Sequence, residues 1–117
     1  MKYISVRQHT DKYRHGQLRQ VVKFFHDPPE QGEIIALVDG NTPIVKGRAN
    51  VIRMGHAHIV IQCRVRATGE IIVNGRSLPT AQALALAYNE GYDSLEEFHE
   101  AFRTRHGLHE EFHLVRW

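Results

Sequence analysis

The sequence predicts a small α+β domain: a β-barrel of about six strands with two or three short helices packed against it. Several short runs alternate apolar and polar residues with period two, and turns containing glycine separate them. The period becomes helical only from Pro79 onward, before one closing strand-like run. At 117 residues the chain has the length of one ordinary domain, so residues 1–117 read as a single unit able to bury a core without disulfide staples.

Tyr3 to Arg7 forms a first strand, with Tyr3, Ser5 and Arg7 on one face and Ile4 and Val6 on the other. Thr10 or Asp11 can cap a short helical turn that Gly16 ends. Arg19 to Phe25 is the second strand, stopped by the Asp27 to Gly32 loop with its two prolines. Glu33 to Asp39 is continuously apolar in its middle, as expected of a central strand covered on both faces. Gly40-Asn41 turns the chain into a long strand from Pro43 to Met54, in which Gly47 permits a bulge or bend. Ile59, Ile61, Cys63 and Val65 then point one way, and the opposite face ends in Arg64 and Arg66, charges that suit an edge strand. Thr68-Gly69 and Asn74-Gly75 are turns on either side of the Glu70 to Val73 run.

In the helical part, Ala81, Leu84, Ala85 and Tyr88 form an apolar stripe after Pro79. Gly91 closes this helix in a left-handed conformation, and Ser94 with Glu97 fits a capping box opening the next. Asp93 with Glu96 fits the same template one residue earlier. The second helix runs from about Ser94 to His106 with Leu95, Phe98 and Phe102 on one face and Gly107 as its terminator. Glu111 to Trp117 is the closing strand.

Charge is unevenly distributed. Residues 1–88 carry 12 Lys+Arg against 6 Asp+Glu, net +6, whereas residues 89–117 carry 3 against 7, net −4. A basic body with an acidic helical end presents one face suited to phosphates. No apolar run approaches the roughly 18 residues that span a bilayer, and the N-terminus lacks a signal-peptide pattern, so a cytoplasmic address without membrane contact is expected. The single cysteine, Cys63, reads as a buried inert thiol. Of nine histidines, His56-x-His58 and His106-x-x-His109 with His113 invite a metal reading, but neither set has a closed zinc spacing; no metal and no cofactor is expected.

Three separated parts of the chain resemble the ASCH family, whose barrel is like that of the PUA RNA-binding domains. They are Ile4-Ser5-Val6-Arg7 leading through a short helix to Gly16, Gln31-Gly32-Glu33-Ile34-Ile35, and Gly91-Tyr92-Asp93-Ser94-Leu95-Glu96-Glu97-Phe98 with the strand after it. The resemblance implies a PUA-like barrel and RNA or modified nucleotides as ligands. The family's signature is Gly-x-Lys-x-x-Glu-x-Arg, and only its glycine, Gly16, is kept. Leu18 stands at the lysine position, Val21 at the glutamate position and Lys23 at the arginine position. Relatives that hydrolyse the acetyl amide of acetylcytidine use that lysine, a threonine three residues later and a glutamate near the helical segment. Here the first two places hold Leu18 and Val21, hydrocarbons that can neither move a proton nor attack a carbonyl, and Glu90 alone cannot replace them. That activity is therefore disfavoured.

Positive charge remains around the Gly16 turn. Arg7, Arg14, Arg19 and Lys23 with the nearby aromatic Tyr13 form a candidate nucleic-acid-binding set, because guanidinium groups bind phosphate bidentately and stack on bases. Lys46, Arg48 and Arg53 on the long strand are a second tier. The expected function is binding of RNA or modified nucleotides in a basic cleft beside the Gly16 turn. The rival is a ribonuclease, with or without a metal, using Arg19, Lys23 and a histidine such as His9 or His15. A third reading is a protein-interaction module using the acidic helix face of Glu96, Glu97 and Glu100.

Overall fold

The computed structural model describes residues 1–42, 50–66, 70–106 and 111–117, without the side chains of 104–106. Their order is β1 (Lys2–Val6), α1 (Thr10–Arg14), β2 (Gln20–Lys23), β3 (Ile34–Asp39), β4 (Val51–His56), β5 (Ile59–Val65), β6 (Ile71–Val73), β7 (Arg76–Ser77), α2 (Thr80–Asn89), α3 (Leu95–His106) and β8 (Phe112–Arg116). The α+β class is as the sequence predicts. The described strands form two sheets, β1-β3-β4 and β2-β8-β5-β6-β7.

In the smaller sheet β3 is central, parallel to β1 and antiparallel to β4. Its buried Ile35, Ala36 and Leu37 account for the unbroken apolar run. In the larger sheet β8 lies between β2 and β5, and both pairs are antiparallel. Alternation sends the paired Val21 and Val115 toward the smaller sheet, where they join Ile4, Val6, Ile35 and Leu37. The next pair, Val22 and Leu114, faces α2 and α3 together with Phe98, Phe102 and Phe112. The larger sheet is thus the middle layer, covered on both faces. Ala57 joins the sheets at one corner: its N–H donates to the Glu33 carbonyl at 2.9 Å, and the N–H of His58 donates to that of Arg116 at 2.9 Å.

Four local expectations need correction. β5 is paired on both sides, by β6 and β8, so Arg64 and Arg66 do not guard an edge; they pair with Glu111 and Glu70. The N-cap of α1 is His9, in a left-handed conformation (φ 58°) with no side-chain cap bond, rather than Thr10 or Asp11. In α2 the buried positions are Ala83, Leu86 and Ala87, and the expected stripe residues Leu84 and Tyr88 are exposed. The helix sequence TAQALALAYN is apolar around most of its circumference, so its periodicity does not single out a face. The Ser94–Glu97 box forms by half: Ser94 Oγ accepts from the Glu97 N–H at 3.1 Å, while Glu97 Oε2 accepts from the Asp93 N–H at 3.3 Å, one residue before the cap. Residues 43–49 of the long strand, with the expected bulge at Gly47, the Thr68-Gly69 turn and Gly107 lie outside the described residues.

Gly91 ends α2 as expected, at φ 96°. Its N–H donates to the Tyr88 carbonyl at 3.0 Å and that of Tyr92 to Ala87 at 3.1 Å, the two bonds of a Schellman turn. A Cβ here would lie 3.0 Å from the His9 ring and from Leu18. Gly91→Ala is therefore expected to cost about 2 kcal/mol, from left-handed backbone strain plus the displaced neighbours, read as a lower urea midpoint at unchanged slope. Burial, and then the negative charge of Glu90, push the Cys63 thiol up to about 12. Cys63 should accordingly resist alkylation at pH 8 until denaturant is added, and stability should fall as pH rises above the ordinary thiol range, where only the unfolded chain loses this proton.

Candidate nucleic-acid interface

A cavity of about 310 Å³ opens where the end of β1, the start of α1, the outer part of β2 and the Schellman turn meet. Strand alternation directs Val21 and Lys23 of β2 into it. Ser5 to His9 line it, and Glu90 and Tyr92, on either side of Gly91, line it as well. The turn therefore presents a carboxylate and an aromatic ring to the same space.

Neighbouring groups hold these side chains in place. Glu90 is 7% exposed, and its Oε1 accepts from Gln20 Nε2 at 3.2 Å. Gln20, only 1% exposed, also donates to the Leu86 carbonyl at 3.3 Å and accepts from Arg116 Nη2 at 2.6 Å. Tyr92 donates its hydroxyl hydrogen to Gln8 Oε1 at 2.8 Å, meets the His9 ring edge-on at 5.2 Å and packs against Phe98 at 5.7 Å. Lys23 Nζ donates to the Ser5 carbonyl at 3.0 Å and lies 5.8 Å from the centre of the Phe25 ring. Asn41 Nδ2 donates to the Arg7 carbonyl at 2.7 Å, from a turn closed by Asp39. The Asn41 backbone N–H, and then the Thr42 hydroxyl, hold the Asp39 carboxyl below its usual range. Its contribution to the turn is therefore present above the ordinary carboxyl range and is lost as pH falls through the lowered value.

The sequence-predicted residues separate into several places. Arg7, Tyr13 and Lys23 line the cavity. Tyr13 is not the exposed stacking platform expected: it is 3% exposed, its hydroxyl donates to the Gln20 carbonyl at 2.8 Å, and its ring lies 5.9 Å from that of Trp117. Arg14 is exposed and pairs with Asp11 at 3.5 Å. The Arg53 guanidinium lies against Gly16, where a Cβ would be 3.0 Å away, and donates to the Arg14 carbonyl at 3.5 Å; it braces the turn. Arg19 lies in a different cleft, with Arg116. Lys46 and Arg48 lie outside the described residues.

Ser5, Gln8, Glu90 and Tyr92 line the cavity without belonging to the expected binding set. The signal available for Glu90 and Tyr92 was their position beside a helix-stopping glycine. Leu18 is buried in the core, and Val21 gives the cavity a hydrocarbon floor.

Gln20→Ala is expected to cost about 2–3 kcal/mol in urea unfolding, because it removes buried hydrogen bonds to a carboxylate and a guanidinium. A cycle with Glu90→Gln should show coupling between the two sites; strict additivity would contradict the Gln20–Glu90 bond. No protein-family model matches this chain, and no curated protein or solved structure is significantly similar to it.

Proposed function

We propose that this domain binds RNA or modified nucleotides, with the base entering the cavity between β1 and the Schellman turn and the backbone following its basic rim. The observation that carries this reading is the composition of that one cavity. Arg7 and Lys23 supply cations, Tyr92 and His9 supply ring faces and edges, and Glu90 supplies a nearly buried carboxylate. A cation suits phosphate oxygens, rings suit the π-face of a base, and a carboxylate accepts from an exocyclic amino group. The volume lies at the lower end of the range typical of small-molecule sites. The resemblance to ASCH domains points the same way. In keeping with it, we read the two sheets, joined at Ala57, as the halves of a PUA-like barrel.

His9 and Lys23 share this cavity with Glu90, and that observation favours a ribonuclease as the second reading. Imidazole and carboxylate can move protons, and an ammonium can stabilise a pentacovalent phosphate. Arg19 and His15 take no part in this version, since neither lines the cavity. The acetylcytidine reaction is disfavoured by Leu18 and Val21 as before.

Filter binding of single-stranded RNA across a salt series tests the main reading. Two phosphate contacts, from Arg7 and Lys23, should give a log–log slope of about −1 to −2. Lys23→Ala should weaken binding about tenfold and flatten the slope, and a salt-independent affinity would count against the proposal. Labelled RNA incubated with the protein, with and without divalent metal, separates the two readings: cleavage lost in His9→Ala supports the nuclease, and intact RNA throughout removes it.

A further inference from the structure

A second cleft, of about 520 Å³, lies where the start of β2, the start of β5 and the end of β8 come together. Arg19 and Trp117 are brought together by the bond from the Trp117 N–H to the Arg19 carbonyl at 3.1 Å. Arg116 sits between Gln20 on β2 and Ile59 on β5, and its carbonyl accepts from the His58 N–H at 2.9 Å. Pairing of three strand ends thus brings two guanidinium groups and an imidazole to one cleft. Its other lining residues, Gln17, Gln20, Asn89 and Trp117, bring no side-chain carboxylate.

Two guanidinium groups lining one cleft repel each other, and an anion held between them relieves that repulsion. Among the described residues neither Arg19 nor Arg116 makes an ion pair, in contrast to Arg14, Arg64 and Arg66. Arg116 is also held in place: one of its five N–H donors is given to the buried Gln20 Oε1 at 2.6 Å, which orients the planar guanidinium. A fixed fork in a cleft that a second arginine also lines suits the bidentate geometry of a phosphate group.

We propose that this cleft is a phosphate-binding site, formed by Arg19, Arg116 and His58, that takes a phosphomonoester or phosphodiester group. It is distinct from the cavity around Glu90 and stands without the reading given to that cavity. The two are joined by one buried side chain, since Gln20 accepts from Arg116 on one side and donates to Glu90 on the other. Phosphate in the cleft and a base in the cavity would each orient the same amide.

Trp117 is the only tryptophan and lines the cleft, so its fluorescence reports occupancy. The full chain is titrated at constant ionic strength with inorganic phosphate, and separately with a dinucleotide whose only phosphate is the internal diester. A saturable emission change is expected, about tenfold weaker in Arg116→Gln and in Arg19→Gln, and only partly restored in Arg116→Lys, which keeps the charge but not the planar fork. A response to inorganic phosphate alone assigns the site to free phosphate or a terminal monoester; a response to the dinucleotide assigns it to nucleic-acid backbone. Circular dichroism and urea unfolding confirm that each variant is folded. Lys23→Ala should leave this response unchanged while weakening RNA binding, which separates failure of one site from failure of the other. No saturable response to either probe, or a response that survives Arg19→Gln with Arg116→Gln, overturns the proposal.

Discussion

The amide of Gln20 is the contact on which the functional end of this domain depends. It is almost fully buried, yet bonds to a helix carbonyl and a carboxylate at the C-terminal end of α2 and to a guanidinium of β8. A buried amide of this kind costs free energy unless its donors and acceptor are matched, so its position defines where the C-terminal end of α2 must lie against β2 and β8. Apolar packing of Ala87, Phe98 and Leu114 holds α2 and α3 on the sheet without fixing their register so closely. Around the same amide lie the cavity beside Glu90 and the cleft beside Arg116.

The middle sheet makes this arrangement possible. Because β2 and β8 are covered on both faces, their buried positions are filled by Val21, Val22, Leu114 and Val115, and polar chemistry is confined to strand ends. Lys23 projects from one end of β2, and Gln20 and Arg19 mark the other. Charge is thereby sorted by position along the five residues from Arg19 to Lys23, with hydrocarbon between.

The sequence made much of the fold legible, because turn and cap chemistry is local. Gly16 and Gly91 end their helices, Asn74-Gly75 turns its hairpin, and the aromatic face of α3 is buried as read. What escaped was decided by tertiary packing. The inward face of α2 was ambiguous because nearly every position is apolar, and the edge reading of β5 failed because strand neighbours are set by long-range pairing. The candidate site was legible in part: Arg7 and Lys23 do meet in one cavity, since strand alternation carries them there. Proximity in sequence was misleading for Arg14 and Arg19, which point away from it, and for Tyr13, whose hydroxyl is used inside the fold. Glu90 gave little signal because a glutamate near a helix end ordinarily faces solvent.

The Schellman turn after α2 also governs where the chain can change length. Each residue of a helix advances the side-chain direction by about 100°. Adding or deleting one residue between Thr80 and Asn89 would swing Glu90 away from Gln20 and bring a different side chain to the cavity wall. Insertions in the exposed Asn74-Gly75 hairpin shift nothing of this kind. Among natural variants of this domain, α2 should therefore keep its length even where its outward residues, such as Leu84 and Tyr88, drift freely.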